Sequence, residues 1–325
     1  MRLVLAVCAL SFFASCEEWV LPEAEVIHNV EDNASLYPKT EEYWENLRAY
    51  KRSDHQVCFG WFGYWNGGEG SSARGSLNTA PDSMDIFSVF GRYYYNLTDI
   101  QIADLRYVQE VKGSKVVFTF LVQNVGLGFE NTDEGLISYA NALCDSVFKY
   151  GYDGIDLDLE PNYGGAGWLT NKEKLHMFIA EIGKRIGKQA ETEEGRSKIY
   201  ILDGEYDYID AEYVKYFDWA ITQAYNCSTA SSIDTRWTKG RNKGWKPEQF
   251  IVTENFQTLF STGGVTHTTA TGEKVPSMIG MAMWQPSDGS RKGGAGSFHI
   301  ELDYNNYPDY TYTRQAIQIM NPAVK

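Results

Sequence analysis

Cysteine is scarce, with five residues in 325. An odd, irregularly spaced set excludes a disulfide framework as the organising device. Proline is also sparse, at nine residues, so an extended Pro-rich stalk is excluded. Basic residues are outnumbered, 29 Lys and Arg against 43 Asp and Glu, giving a net charge of −14. Such a surface repels phosphate backbones, and no nucleic-acid partner is expected. The histidines at 28, 55, 176, 267 and 299 lack the paired spacing of a zinc site. No metal and no cofactor is therefore expected. The glycines nearest the first apolar run, Gly60, Gly63, Gly67 and Gly68, do not form G-x-G-x-x-G, so a dinucleotide fold lacks its signature. What is abundant is aromatic: 22 Tyr, 16 Phe and 9 Trp. Rings of this kind stack on the C–H faces of neutral sugars. Composition alone does not separate sugar binding from sugar cleavage.

The N-terminus carries Arg2 and then an apolar run to Phe13, too short to span a bilayer and typical of a signal-peptide core. The run ends Phe13-Ala14-Ser15-Cys16, which resembles a bacterial lipoprotein processing box with Phe where Leu is usual. The resemblance implies removal of residues 1–15 and lipidation of Cys16. Glu17-Glu18 looks like the surface-export signal of Bacteroidetes lipoproteins. The implied location is the outer membrane, facing outward and held by the lipid alone. A plain cleaved signal is the alternative. Residues 16–40 read as a polar tether, and residues 41–325 as one domain, expected to be monomeric. Cys58, Cys144 and Cys227 lie in apolar segments and read as small buried hydrophobes.

Beyond a short helix over Thr40–Arg52, β-rich runs alternate with helical patterns. The runs are Val57–Phe62, Met84–Phe90, Lys115–Val122, Gly154–Glu160, Lys198–Leu202, Trp219–Tyr225, Phe250–Thr253 and Met278–Trp284. Between them, Leu136, Tyr139, Ala140, Leu143, Cys144 and Phe148 share one helical face, as do Leu175, Phe178, Ile179, Ile182 and Ile186. Thr170 and Glu173 stand at capping-box spacing ahead of the second helix. Eight strands in β-α alternation favour an α/β fold, a single-domain (β/α)8 barrel. An open doubly wound sheet is the alternative.

The informative strand reads Asp153-Gly154-Ile155-Asp156-Leu157-Asp158-Leu159-Glu160-Pro161. Alternation places Ile155, Leu157 and Leu159 on one face, toward the outer helices. Asp156, Asp158 and Glu160 then face inward, and Pro161 stops the strand so that Glu160 sits at its C-terminal edge. Active sites of this fold lie at that edge. Three neighbouring acids cannot all ionise, so at least one proton is shared. An outward-facing acidic edge or a calcium site is the competing reading; the latter lacks EF-hand spacing.

This segment matches the D-G-x-D-x-D-x-E signature of glycoside hydrolase family 18, found on the fourth strand of that family's barrel, and it is the fourth run here. The resemblance implies retaining, substrate-assisted cleavage, an exception to the two-carboxylate scheme. Glu160 would protonate the leaving oxygen and Asp158 would orient the attacking 2-acetamido group. Asp156 would share a proton with Asp158. Gln223-Ala224-Tyr225-Asn226 resembles the family's Tyr motif, with Tyr225 bonding the acetamido carbonyl and Gln223 and Asn226 beside it. Trp284 matches the Trp that floors the sugar subsite. Asn124, Asp203 and Glu205 end strands three and five as further cleft candidates, and Trp61 is a candidate sugar platform in the loop after strand one, or a core aromatic.

Leu159 in place of an aromatic, and Pro161 directly after Glu160, depart from the usual chitinase pattern. The chain looks more like the compact endo-β-N-acetylglucosaminidases, which cut between the two core N-acetylglucosamines of N-linked glycans. The expected partners are thus N-acetylglucosamine-containing glycans or glycoproteins. A chitinase-like hydrolase and a non-catalytic glycan-binding lipoprotein are the alternatives.

Overall fold

In the computed structural model, residues 39–70, 73–91 and 95–322 are described. The expected signal, Cys16 and nearly all of the tether lie outside them. Eight parallel strands close into a barrel. They are β1 (Val57–Phe62), β2 (Ile86–Phe90), β3 (Lys115–Leu121), β4 (Gly154–Leu159), β5 (Ile199–Gly204), β6 (Trp219–Gln223), β7 (Phe250–Asn255) and β10 (Gly294–Phe298). A small antiparallel hairpin, β8 (Thr266–Thr268) with β9 (Lys274–Pro276), sits between the last two in sequence. The (β/α)8 expectation holds.

Local sequence explains the flanking helices. Thr132 accepts from Gly135 N at 3.0 Å to start the helix Asp133–Tyr150, and Gly151 ends it in the left-handed conformation. Its buried side chains include Leu136, Tyr139, Ala140, Leu143 and Cys144. The helix Lys172–Gly183 is capped by Asn171, whose side chain accepts from Glu173 N. The expected cap, Thr170, instead closes the preceding turn on Gly167.

The eighth strand is not the segment that the apolar run suggested. Ser277–Met283 is a helix, buried from Ser277 through Ala282, and an apolar run buried on all sides carries no periodicity to tell helix from strand. The closing strand is Gly294-Ala295-Gly296-Ser297-Phe298, which has almost no hydrophobic signature. Of its three inward positions the last is Phe298, and the first two must be glycine. A Cβ on Gly294 would stand 2.0 Å from Val57 O, and one on Gly296 1.9 Å from Phe59 O. The space inside is filled from β1 by Phe59 and Trp61, packed edge to face.

Ile155, Leu157 and Leu159 are fully buried in the outer core, each contributing about 1.5–3 kcal/mol relative to exposure. The barrel interior is a second apolar cluster of Val57, Phe59, Ile86, Val117, Ile201, Ile221 and Ile251. Cys58, Cys144 and Cys227 are free and buried.

The first two residues of the acidic motif are structural. Asp153 accepts from Val116 N at 2.9 Å and Gln109 Nε2 at 2.7 Å, tying β3 to β4 at the bottom. Gly154 lets β5 approach, because a Cβ there would lie 1.8 Å from Ile199 O. Gly154→Ala is therefore expected to destabilise the fold by about 3 kcal/mol, the upper end of ordinary overpacking. Urea unfolding checks this; a loss within about 0.5 kcal/mol, the range of harmless surface changes, would contradict the contact.

Lys292 fastens the closing strand. It is fully buried, and its Nζ donates to Gln56 Oε1 and Ala282 O, both at 2.8 Å. Neither acceptor is charged, and burial pulls its pKa down to about 7. Unfolding restores the ordinary value, so the folded state binds fewer protons between about pH 7 and pH 10 and stability rises with pH in that window. Lys292→Met removes this slope. The stability of the variant relative to the parent should fall between pH 7 and pH 9 in urea titrations. A pH-independent difference would show that Lys292 is charged in the folded protein.

Candidate active site

β4 carries Asp156 and Asp158 into the barrel, and the chain leaves the strand at Glu160. Asp156 is fully buried, and its Oδ2 accepts from Trp61 Nε1 at 2.9 Å and Ser88 Oγ at 2.8 Å. Asp158 is 7% exposed and accepts from Gln223 Nε2 at 3.2 Å. Glu160 is half-buried at the C-terminal rim, with its side chain hydrogen-bonded to Asp158. The two carboxyls and the glutamate thus run from the barrel interior to the surface, as side-chain alternation requires.

The β4–β5 register sets Asp203 directly beside Asp158. Asp203 is 1% exposed and hydrogen-bonds to both Asp158 and Asp156. Burial pushes Asp156 up to about 6 and Asp158 up to about 7; for Asp158 the charges of Glu160 and Asp156 add to it. Burial, with the charges of Asp156 and Asp158, holds Asp203 well above the usual carboxylate range. Three buried carboxyls this close cannot all carry charge, so at least one holds a proton.

Tyr225 stands just past β6, half-buried, with its ring stacked on Phe298 at 6.2 Å between centroids. Burial raises its phenol well above the ordinary value, and the charges of Asp203, Asp158, Glu160 and Asp156 act in the same direction. The following Asn226 is exposed and adopts φ +57°, a left-handed conformation unusual for a non-glycine residue. The fully buried Glu254, at the end of β7, holds this turn by accepting from Asn226 N at 2.8 Å and Asn255 N at 2.7 Å, and it also bonds Ser277.

Two expected site residues, Trp61 and Trp284, fall elsewhere. Trp61 lies within β1, not in the loop after it, and is 2% exposed. It is a donor to Asp156 and offers no face to a sugar. Trp284 caps the buried helix Ser277–Met283 outside the barrel, donating from Nε1 to Asp234 at 3.0 Å and packing on Phe250. The last barrel strand ends instead in half-buried Phe298, whose ring meets Trp61, Phe90 and Tyr225. Asn124 is exposed, and its side-chain oxygen accepts from Trp168 N at 3.0 Å, bracing the loop after β3.

Glu205 fixes the turn that follows Glu160. Its carboxylate accepts from Asn162 N at 2.7 Å and from the Asn162 side chain. Tyr163, 80% exposed, projects from this turn. Among these side chains, Ser88, Glu254 and Phe298 escape the sequence reading. Ser88 alone shows a signal, a lone polar residue at an inward position of an apolar strand.

A hollow at the opposite mouth of the barrel is lined by Arg48, Lys51, His55 and Lys115 among others. These groups are committed to holding the strand starts: Lys51 bonds Met84 O and Ser114, His55 bonds Asp85, and Lys115 pairs with Asp153. The acid cluster opens instead at the C-terminal rim.

Residues 21–319 match the family described as glycoside hydrolase family 18, BT1044-like. Endo-beta-N-acetylglucosaminidase F2 of Elizabethkingia meningoseptica is 27% identical over 304 residues, covering 85% of each chain. A selenomethionine structure of BT1044 with a Glu-to-Gln substitution aligns with a TM-score of 0.79 at 32% identity, over 89% of this chain and 95% of that one. An endo-beta-N-acetylglucosaminidase from Cordyceps militaris aligns with a TM-score of 0.68 at 25% identity, over 87% and 97% of the two chains. That protein carries Asp-to-Asn and Glu-to-Gln substitutions two residues apart and is in complex with fucosyl-N-acetylglucosamine-Asn. With the match running across nearly the whole barrel, the chain belongs to glycoside hydrolase family 18, in its BT1044-like group, and is a glycoside hydrolase.

Proposed function

We propose that the protein is an endo-β-N-acetylglucosaminidase that cleaves the β-1,4 bond between the core N-acetylglucosamines of N-linked glycans. The observation that carries this reading is the ladder from buried Asp156 through Asp158 to half-exposed Glu160, with Tyr225 facing it. Two further facts support the substrate class. Endo-beta-N-acetylglucosaminidase F2 and the Cordyceps protein, each similar over more than four-fifths of this chain, bear the endo-β-N-acetylglucosaminidase name, and the Cordyceps protein was substituted at an Asp and a Glu with the spacing of Asp158 and Glu160. The segment between β7 and β10 contributes only a short hairpin and short helices, with no inserted subdomain to deepen a groove there.

In this mechanism Glu160 gives its proton to the glycosidic oxygen as the bond to the anomeric carbon breaks. The substrate's acetamido oxygen attacks that carbon and an oxazolinium ion forms. Asp158 accepts the acetamido N–H and faces the developing positive charge, and the Tyr225 hydroxyl donates to the acetamido oxygen. Glu160, now ionised, deprotonates the water that opens the ring. Phe298 takes the sugar-floor position expected of Trp284. The Cys16 motif supports a further proposal, that the enzyme is a lipoprotein acting at the cell surface on glycoproteins from outside.

Glycoproteins with high-mannose, hybrid and complex glycans, together with chitin oligosaccharides, provide the test. Mass spectrometry should find one N-acetylglucosamine left on Asn. Cleavage of chitin oligosaccharides alone would select the chitinase reading, and binding without any product the non-catalytic one. Glu160→Gln should lower turnover by about 10²–10⁴-fold while glycan binding persists, because an amide has no proton to give. Undiminished turnover would remove Glu160 from the chemistry.

A further inference from the structure

The acid cluster holds more carboxyl groups than it has donors to satisfy, and the shortfall is unevenly distributed. Asp156 receives two neutral donors, Trp61 Nε1 and Ser88 Oγ, at 2.9 and 2.8 Å. Asp158 receives Gln223 Nε2 at 3.2 Å and is the member closest to the opening, in contact with Glu160. Asp203 receives only the same amide at a marginal 3.5 Å, and no N–H or O–H donor reaches its Oδ2. It is 1% exposed, so solvent does not make up the difference. A buried carboxylate with so little donation is costly, and the group takes a proton in preference. Asp156 has the Thr119 hydroxyl as a further partner, so its supply of donors exceeds that of Asp203.

Resting on the family 18 chemistry above, we propose that Asp203 is a positioning residue that carries the cluster's proton and donates it in a hydrogen bond to Asp158. This departs from the expectation that Asp156 shares its proton with Asp158, because Asp156 already has the donors an anion needs. The proton balance is simple. When Asp158 accepts the acetamido N–H, the proton between Asp158 and Asp203 settles on Asp203 Oδ, leaving Asp158 the negative partner of the oxazolinium ion. No proton leaves the cluster and no bond other than O–H is exchanged. Asp203 thereby sets the pH at which Asp158 becomes an effective anion, without touching the sugar. Its place beside Asp158 is fixed by the β4–β5 register, so the positioning is built into the barrel wall.

Two substitutions separate this role from simple packing. Asp203→Asn keeps the shape and a donor toward Asp158, and it should leave the acid limb of kcat/KM unmoved. Asp203→Ala removes the donor. Its acid limb should move up by about one pH unit, a tenfold change in the proton affinity of Asp158, and kcat at neutral pH should fall by up to that factor. An unmoved limb in Asp203→Ala would overturn the proposal. A readout independent of turnover covers the case in which no glycopeptide is cleaved. At pH 7 the parent should show the infrared C=O band of a buried carboxylic acid, and Asp203→Asn should lose it. A band that persists in Asp203→Asn places the proton on another carboxyl and refutes the assignment, whereas a lost band with no cleavage by the parent faults the substrate reading alone.

Discussion

The structure depends on lodging several carboxyl groups inside a closed barrel, where a charge without donors is expensive. The arrangement around Asp156 meets that cost directly. An indole N–H from β1 and a hydroxyl from β2 converge on one oxygen. At the closure the constraint is backbone contact: a Cβ on Gly294 or Gly296 of β10 would strike the carbonyl oxygens of Val57 and Phe59.

The acids differ in environment by a few ångströms and consequently in task. Asp156 is the best supplied with donors and deep; Asp158 is buried yet touches the opening; Glu160 is beyond the last ladder position of β4. Neighbouring carboxyls with separated proton affinities are how one site supplies both an acid and an anion at the same pH. The supporting turns are fixed by buried or bidentate carboxylates away from the reacting centre. Glu254 holds the turn after Tyr225, and Glu205 holds the one after Glu160.

The legible part of the sequence was the part with strong alternation. β4 declares itself because charged and aliphatic residues alternate without interruption, and both faces are buried as that pattern requires. The helix Asp133–Tyr150 is equally plain, with a Thr cap, an apolar face and a terminal Gly. Two features defeat such reading. A strand two of whose three inward side chains must be absent, β10, has no hydrophobic pattern, while the helix Ser277–Met283 is apolar all round and mimics a buried strand. Trp284 was misplaced with it. Trp61 shows a different limit: its sequence position does not reveal that its N–H is needed by an acid 95 residues away. Asp203 was visible as a polar strand end, but its weight comes from register with Asp158, which no single strand displays.

In the proposed mechanism the substrate's own acetamido group attacks, with Glu160 and Asp158 assisting. Its most direct test is the configuration of the reducing sugar at the instant of release, followed by proton NMR during cleavage of a glycopeptide. The β-anomer should appear first and mutarotate afterwards, since two displacements at the anomeric carbon restore its configuration. First appearance of the α-anomer would require direct attack by water and would contradict the mechanism.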